Sequence, residues 1–67
     1  MILKTKDYTI NTDDISFFEH NIFEWHADLV IHFKSGAKIH LNSTFEGYID
    51  YSMEEIVEII NQLNNIK

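Results

Sequence analysis

Residues 29–41, LVIHFKSGAKIHL, constrain the fold more than any other part of this chain. Two short apolar runs flank a Ser-Gly-Ala centre, and glycine supplies the permissive backbone of a tight turn, so the segment predicts a β-hairpin. A loop of Ser35 and Gly36 alone mixes apolar and polar residues on both faces, whereas a loop of residues 35–37 separates them. We therefore predict the longer loop. It opposes Phe33 to Ile39, Ile31 to Leu41, Lys34 to Lys38 and His32 to His40.

The clearest helical pattern follows Ser52. Ser52 and, three residues later, Glu55 form a capping box, in which hydroxyl and carboxylate each accept a hydrogen bond from a backbone N–H that the helix leaves unbonded. We predict a helix from about Met53 to Asn65. The apolar residues that recur at helical spacing are Met53, Ile56, Val57, Ile59, Ile60, Leu63 and Ile66.

Residues 13–28, DDISFFEHNIFEWHAD, fit either a helix or a strand. A helix exposes Phe17, whereas a strand exposes Phe18 and Ile22 on the face opposite Ile15, Phe17, Phe23 and Trp25. Aromatic and β-branched residues predominate, which favours the strand. Phe18 and Ile22 are then candidate partner-binding residues, because an exposed apolar patch is typical of an interface unless residues 45–51 cover it.

These elements predict one α+β domain over residues 1–67, a small antiparallel sheet of three to five strands with one C-terminal helix packed across one face. Residues 5–10 alternate and supply another strand. The side chains predicted to meet are Ile56, Val57, Ile60 and Leu63 of the helix and Ile31, Phe33, Ile39 and Leu41 of the sheet. A short chain without cysteine has little core and no disulfide, so we also expect a homo-oligomer, at least a dimer.

Charge narrows the classes of partner. The chain has 11 acidic residues against 5 lysines, a formal charge of -6, which disfavours direct nucleic-acid binding and anionic membranes. It favours a protein with a basic surface, such as a nucleic-acid-binding or defence enzyme whose charged groove a phage inhibitor occupies in place of DNA. The candidate acidic contacts are Glu46, Asp50, Glu54, Glu55 and Glu58. Without an apolar span or secretory signal, we expect the cytoplasm of a bacterium or of a phage's host.

Four histidines are the candidates for metal or acid–base chemistry. A zinc site needs a third ligand beside His32 and His40, which His26, Asp28 or Glu24 would have to supply. Solvated histidines on the polar face of a sheet are the better interpretation. Cysteine is absent and the serines lie at turns and caps, so we expect no enzyme activity, no metal and no cofactor; a histidine zinc site is the alternative function.

The run I-N-x-D-D-I, then L-V-I-H-F-K-S-G-A-K-I-H-L, then an amphipathic helix resembles the small FlbD/SwrD-type proteins associated with bacterial flagella. The resemblance covers residues 10–63 in outline. This chain departs from the family in its extra residues around 20–26 and at 45–51. The resemblance implies a strand over residues 15–25 and a non-catalytic accessory role.

Overall fold

A computed structural model describes residues 1–24, 26–43 and 51–65. The elements are β1 (Ile2–Lys4), β2 (Thr9–Asn11), a 3-10 turn (Thr12–Asp14), β3 (Ile15–Ile22), β4 (Ala27–Phe33), β5 (Lys38–Asn42) and α1 (Met53–Asn64). β1 pairs antiparallel with β2, and β3, β4 and β5 form a second antiparallel sheet in that order. The predicted α+β class, with one C-terminal helix packed against a small antiparallel sheet, is confirmed.

The hairpin between β4 and β5 forms, but its register is not the predicted one. The loop is residues 34–36: the Phe33 N–H donates to the Ala37 carbonyl at 2.8 Å, and the Gly36 N–H donates to the Phe33 carbonyl at 2.9 Å. Gly36 has φ +95°, as a three-residue loop ending in a left-handed residue requires. The shift of two residues preserves the predicted faces. The partners change: His32 lies opposite Lys38, and His40 lies opposite Val30.

β3 is a strand, as preferred, but its exposed face was predicted wrongly. The register shifts between Ile15, opposite Phe33, and Phe17, opposite His32, so Ser16 is an extra, bulged residue. A bulge reverses the alternation of faces beyond it. Phe18 therefore packs half-buried against the core, while Phe17 lies on the other face with 52% of its surface exposed. Ile22 is exposed as predicted, but it lies opposite buried Ala27 on the core side of the sheet.

The core lies between α1 and the central strands. α1 begins at the predicted residue, and its capping box is present. Val57, predicted to pack in the core, is only half-buried, whereas Ile59 is buried. The buried stripe of the helix is centred between Ile56 and Ile60. The buried apolar residues are Leu3, Ile10, Ala27, Leu29, Ile31, Leu41, Tyr51, Ile56, Ile59, Ile60 and Leu63. Within the described residues, no helix has the length and apolar character needed to cross a membrane.

The N-terminal residues form two strands rather than one. The predicted strand over residues 5–10 begins only at Thr9, because the Thr5 N–H donates to the Tyr8 carbonyl at 2.8 Å and turns the chain between β1 and β2. The Thr5 hydroxyl also accepts from the Tyr8 N–H at 2.9 Å. Such local side-chain bonding competes with strand structure.

Tyr51 joins this turn to the start of the helix. Its ring is buried, its hydroxyl lies 2.9 Å from the Thr5 hydroxyl and donates to Asp7 Oδ2 at 3.2 Å, and its N–H donates to the Asn42 carbonyl at 3.2 Å. Lys6 Nζ lies 4.7 Å from the ring centre. Burial, assisted by the Asp7 carboxylate, raises the pKa of the Tyr51 phenol. Tyr51 thus links the β1–β2 turn through its side chain, and β5 through its backbone, to the segment that leads into α1.

Candidate functional site

The face of the three-stranded sheet opposite α1, here called the open face, carries two of the candidate histidines. His32 Nε2 lies 2.7 Å from Glu19 Oε1, and the His32 ring stacks on Phe17 with ring centres 4.1 Å apart. His40 Nε2 lies 3.5 Å from Asp28 Oδ1. Each imidazole therefore has a carboxylate neighbour on an adjacent strand.

These histidines do not assemble a metal site in the described part of the chain. His26, the nearest further candidate, has its Nε2 3.9 Å from Asp28 Oδ2 and stacks on Phe23. No group of three His, Cys, Asp or Glu residues is placed to hold a metal among residues 1–24, 26–43 and 51–65. Glu19 neighbours one histidine, His32, whereas Asp28 lies between two, His40 and His26.

The serine hydroxyls in the described turns and caps have structural partners. Ser43 Oγ accepts from the buried Ala27 N–H at 3.0 Å, and Ser35 Oγ accepts from the Ala37 N–H at 3.3 Å. Ser52 Oγ accepts from the Glu55 N–H at 3.1 Å. These three hydroxyls therefore have structural roles in turns and caps.

The acidic candidates on α1 divide by role. Glu55 Oε1 accepts from the Ser52 N–H at 3.1 Å, and the hydrogen bonds from Ser52 lower the pKa of Glu55. Glu55 therefore serves the helix cap. Glu54 and Glu58 are exposed about one helical turn apart and take no part in the cap. Glu46 and Asp50, the remaining acidic candidates, lie outside the described residues.

A shallow depression lies beside these two carboxylates. We call it the α1 strip; it is lined by Met53, Glu54, Val57, Glu58 and Asn61. Met53 and Val57 are half-buried, so each presents apolar surface next to an exposed carboxylate. Sequence reasoning placed Val57 in the core and missed this strip. α1 holds six apolar residues, but their helical spacing alone does not show which of them the sheet leaves uncovered.

The other flank of α1 has a different charge. A groove of about 200 Å³ between α1 and the β1–β2 turn is lined by Lys4 and Lys6 on one side and Glu55 and Glu58 on the other. The lysines offset the carboxylates there. The α1 strip, in contrast, has no cation among its lining residues, and Glu58 lines both the strip and the groove.

The apolar candidates Phe18 and Ile22 do not form one patch. Phe18 packs against the core, whereas Ile22 is 52% exposed. The exposed aromatic residues around β3 are instead Phe17 and Phe23, at 52% and 49%. α1 packs mainly on β4 and β5 and contacts β3 less. The β3 side of the sheet is therefore the more open one.

No family model, no curated protein and no solved structure matches this chain. The resemblance to the FlbD/SwrD-type flagellar proteins stays a prediction. The geometry of the α1 strip and of the β3 side of the sheet is therefore the basis for the functional proposals.

Proposed function

We propose that this protein is a non-enzymatic interaction module that binds a basic surface of a partner protein through the α1 strip. The observation that carries the proposal is the juxtaposition of half-buried Met53 and Val57 with exposed Glu54 and Glu58. Apolar surface supplies the free energy of association, and the carboxylates select a cationic partner and orient it.

The charge of the strip argues for one class of partner. Its lining includes two carboxylates and no cation, and the whole chain carries a formal charge of -6. Phosphates and anionic lipids are repelled by such a surface, whereas lysine and arginine side chains are attracted. A groove that normally binds nucleic acid is one cationic surface of suitable chemistry, and an acidic helix seated there would exclude the nucleic acid, as a phage inhibitor of a defence enzyme does.

The helix is rigid enough to act as a preformed surface. Ile56 and Ile60 are 0% and 3% exposed on its inner side, and the Ser52 and Glu55 cap closes its first turn. A strip held in place in the free protein loses little conformational entropy on binding. Little of the free energy gained from contacts at the strip is therefore lost to ordering the helix on binding.

The test begins with a displayed library of random peptides, from which binders to the wild-type protein are selected and synthesised. We expect peptides rich in Lys and Arg with at least one large apolar residue. Their affinity, measured by fluorescence anisotropy, should fall about fivefold for the Glu54→Gln, Glu58→Gln double variant, since exposed ion pairs each contribute about 0.2–1 kcal/mol. Val57→Ser should weaken binding further.

The matched control is Asp13→Asn with Glu24→Gln, which changes the net charge equally at exposed residues on other elements. The control should bind the selected peptides nearly as the wild type does. Equal losses in the two double variants would reduce the effect to bulk charge, and selected peptides without basic residues would contradict the proposal directly.

A further inference from the structure

β3 is an edge strand whose outer side offers unpaired backbone groups. Eight residues long, it pairs with β4 on one side, and no other described segment pairs with it. The Phe23 N–H donates to the His26 carbonyl, and hydrogen bonding alternates along an antiparallel ladder. Phe17, Glu19 and Asn21 therefore bond inward to β4. Their neighbours turn N–H and C=O outward; these are Phe18, His20 and Ile22.

This edge lacks the features that usually keep strands from pairing. Between Phe17 and Ile22 it has no lysine, no proline and no bulge, and apolar Phe17 and Ile22 are each 52% exposed. The opposite edge, β5, is only five residues long, begins with Lys38, and its Asn42 carbonyl already accepts from Tyr51. Charged, short or covered edges resist association, whereas a long edge whose one carboxylate, Glu19, already neighbours His32 is less protected.

We propose that two copies of this chain associate by antiparallel pairing of their β3 edges about a two-fold axis at His20, joining the two three-stranded sheets into one continuous sheet. A two-fold axis makes the interface self-complementary, because each copy contributes the same strand. The outward backbone groups of one β3 then meet those of the other.

The choice of axis follows from the side chains. An axis at Glu19 places the two Glu19 carboxylates directly opposite one another, which is unfavourable. An axis at Phe18 sets exposed Phe17 opposite Glu19 of the second copy. An axis at Asn21 shortens the paired segment to residues 19–23, because the ladder with β4 ends at the Phe23 to His26 hydrogen bond.

Of these axes, only the one at His20 pairs each apolar residue between Phe17 and Phe23 with another apolar residue. It sets Phe18 opposite Ile22 of the second copy on one face, and Phe17 opposite Phe23 of the second copy on the open face. Glu19 then lies opposite Asn21 of the second copy, and the two His20 side chains lie opposite one another at the axis, so no two carboxylates meet in the paired segment. The pairing ends naturally at the Ser16 bulge and at the turn after Phe23.

The proposal is tested by sedimentation equilibrium over a concentration series with His20→Pro and His20→Ala. Proline removes the outward N–H at the axis but leaves the bonds to β4 intact, since His20 bonds outward; proline is tolerated at such edge positions. We expect a wild-type dimer, a His20→Pro monomer and a His20→Ala dimer. A wild-type monomer at all concentrations, or a His20→Pro dimer as stable as the wild type, would overturn the proposal.

A second pair of variants keeps the test informative if His20→Pro does not fold. Ile22→Lys places a charge opposite Phe18 of the second copy and should weaken the dimer at least tenfold. Ile2→Lys, at an equally exposed residue of β1, should leave it unchanged. Equal effects of the two substitutions would contradict pairing at β3.

Salt separates this dimer from the binding proposed for the α1 strip. Two copies of charge -6 repel, so screening by salt strengthens self-association, whereas it weakens binding to a basic partner. Dimerisation that weakens as salt is added would contradict pairing of like copies at β3.

Discussion

The Tyr51 hydroxyl should be worth about 1–2 kcal/mol of folding free energy. Tyr51→Phe removes its hydrogen bonds to Thr5 and Asp7 while keeping the buried ring. A typical hydrogen bond contributes about 0.5–1.5 kcal/mol. Thr5 and Asp7 lie near solvent, so in Tyr51→Phe water replaces part of the lost hydrogen bonding. The total loss of folding free energy therefore stays near the lower end of the range for two hydrogen bonds.

Urea unfolding followed by far-ultraviolet circular dichroism measures this difference. For a chain of this size the slope is about 1 kcal/mol per molar urea, so the midpoint should fall by about 1–2 M. Tyr8→Phe is the matched control, because Tyr8 is 38% exposed and should shift the midpoint by little. Equal midpoints for wild type and Tyr51→Phe would refute the role assigned to the hydroxyl.

The difference should also depend on pH. Burial raises the pKa of Tyr51 above the ordinary 10.0, so the stability that the neutral phenol contributes is complete below pH 10 and is lost as the pH rises through the raised value. The gap between wild type and Tyr51→Phe should therefore narrow in strong alkali. A gap that widens there would contradict the burial of the phenol.

Four further predictions concern the turn, the helix cap and the histidines. Gly36→Ala should destabilise the fold by about 1 kcal/mol through backbone strain at φ +95°, with Gly36→Asn less harmful; thermal unfolding measures both, and equal melting temperatures for wild type and Gly36→Ala would contradict the strain. Ser52→Ala should lose about 1 kcal/mol of cap stability, seen as a lower urea midpoint. Because hydrogen bonds lower the pKa of Glu55, its contribution is present above pH 4.5 and is lost as the pH falls, so Glu55→Gln should flatten the acid limb of stability against pH. Zinc or EDTA should leave the melting temperature unchanged, and a zinc-dependent rise that His32→Ala abolishes would reverse the interpretation of the open face.

Structural features that depend only on residues close together in the sequence could be predicted. The Ser52 and Glu55 pair marks a helix start through hydrogen bonds between residues three apart, so the start of α1 was predicted to the residue. The faces of β4 and β5 follow from alternation, which a register shift of two leaves unchanged. The residues that face each other across β4 and β5 depend instead on where the loop places its left-handed residue. Gly36 lies in both the predicted loop, 35–37, and the observed loop, 34–36, so the sequence does not distinguish them.

The bulge at Ser16 explains the hardest part of the sequence. It places Ile15 and Phe18, three residues apart, on the same side of a strand. Spacing by three is the signature of a helix, so a bulged strand and a helix give the same pattern here. Only the pairing with β4 distinguishes them, and that contact is not local.

The α1 strip could not be predicted for a related reason. The sequence shows that Val57 is apolar and on the inner half of the helix, but the exposed fraction depends on the crossing of α1 over the sheet. α1 packs on β4 and β5, and this position leaves Met53 and Val57 at the margin. Tertiary placement, rather than helical spacing, decides which apolar residues meet solvent.

The separate β1–β2 sheet gives the molecule two levels of stability. Its short ladder is held to the rest by buried Leu3 and Ile10 and by the Tyr51 hydroxyl. Breaking those contacts frees β1 and β2 while β4 keeps its bonds to both neighbours, so the unit can open without global unfolding. Amide protons of β1 and β2 would then exchange with solvent well before those of Leu29 and Ile31, and a protease would first cut the chain near Thr5.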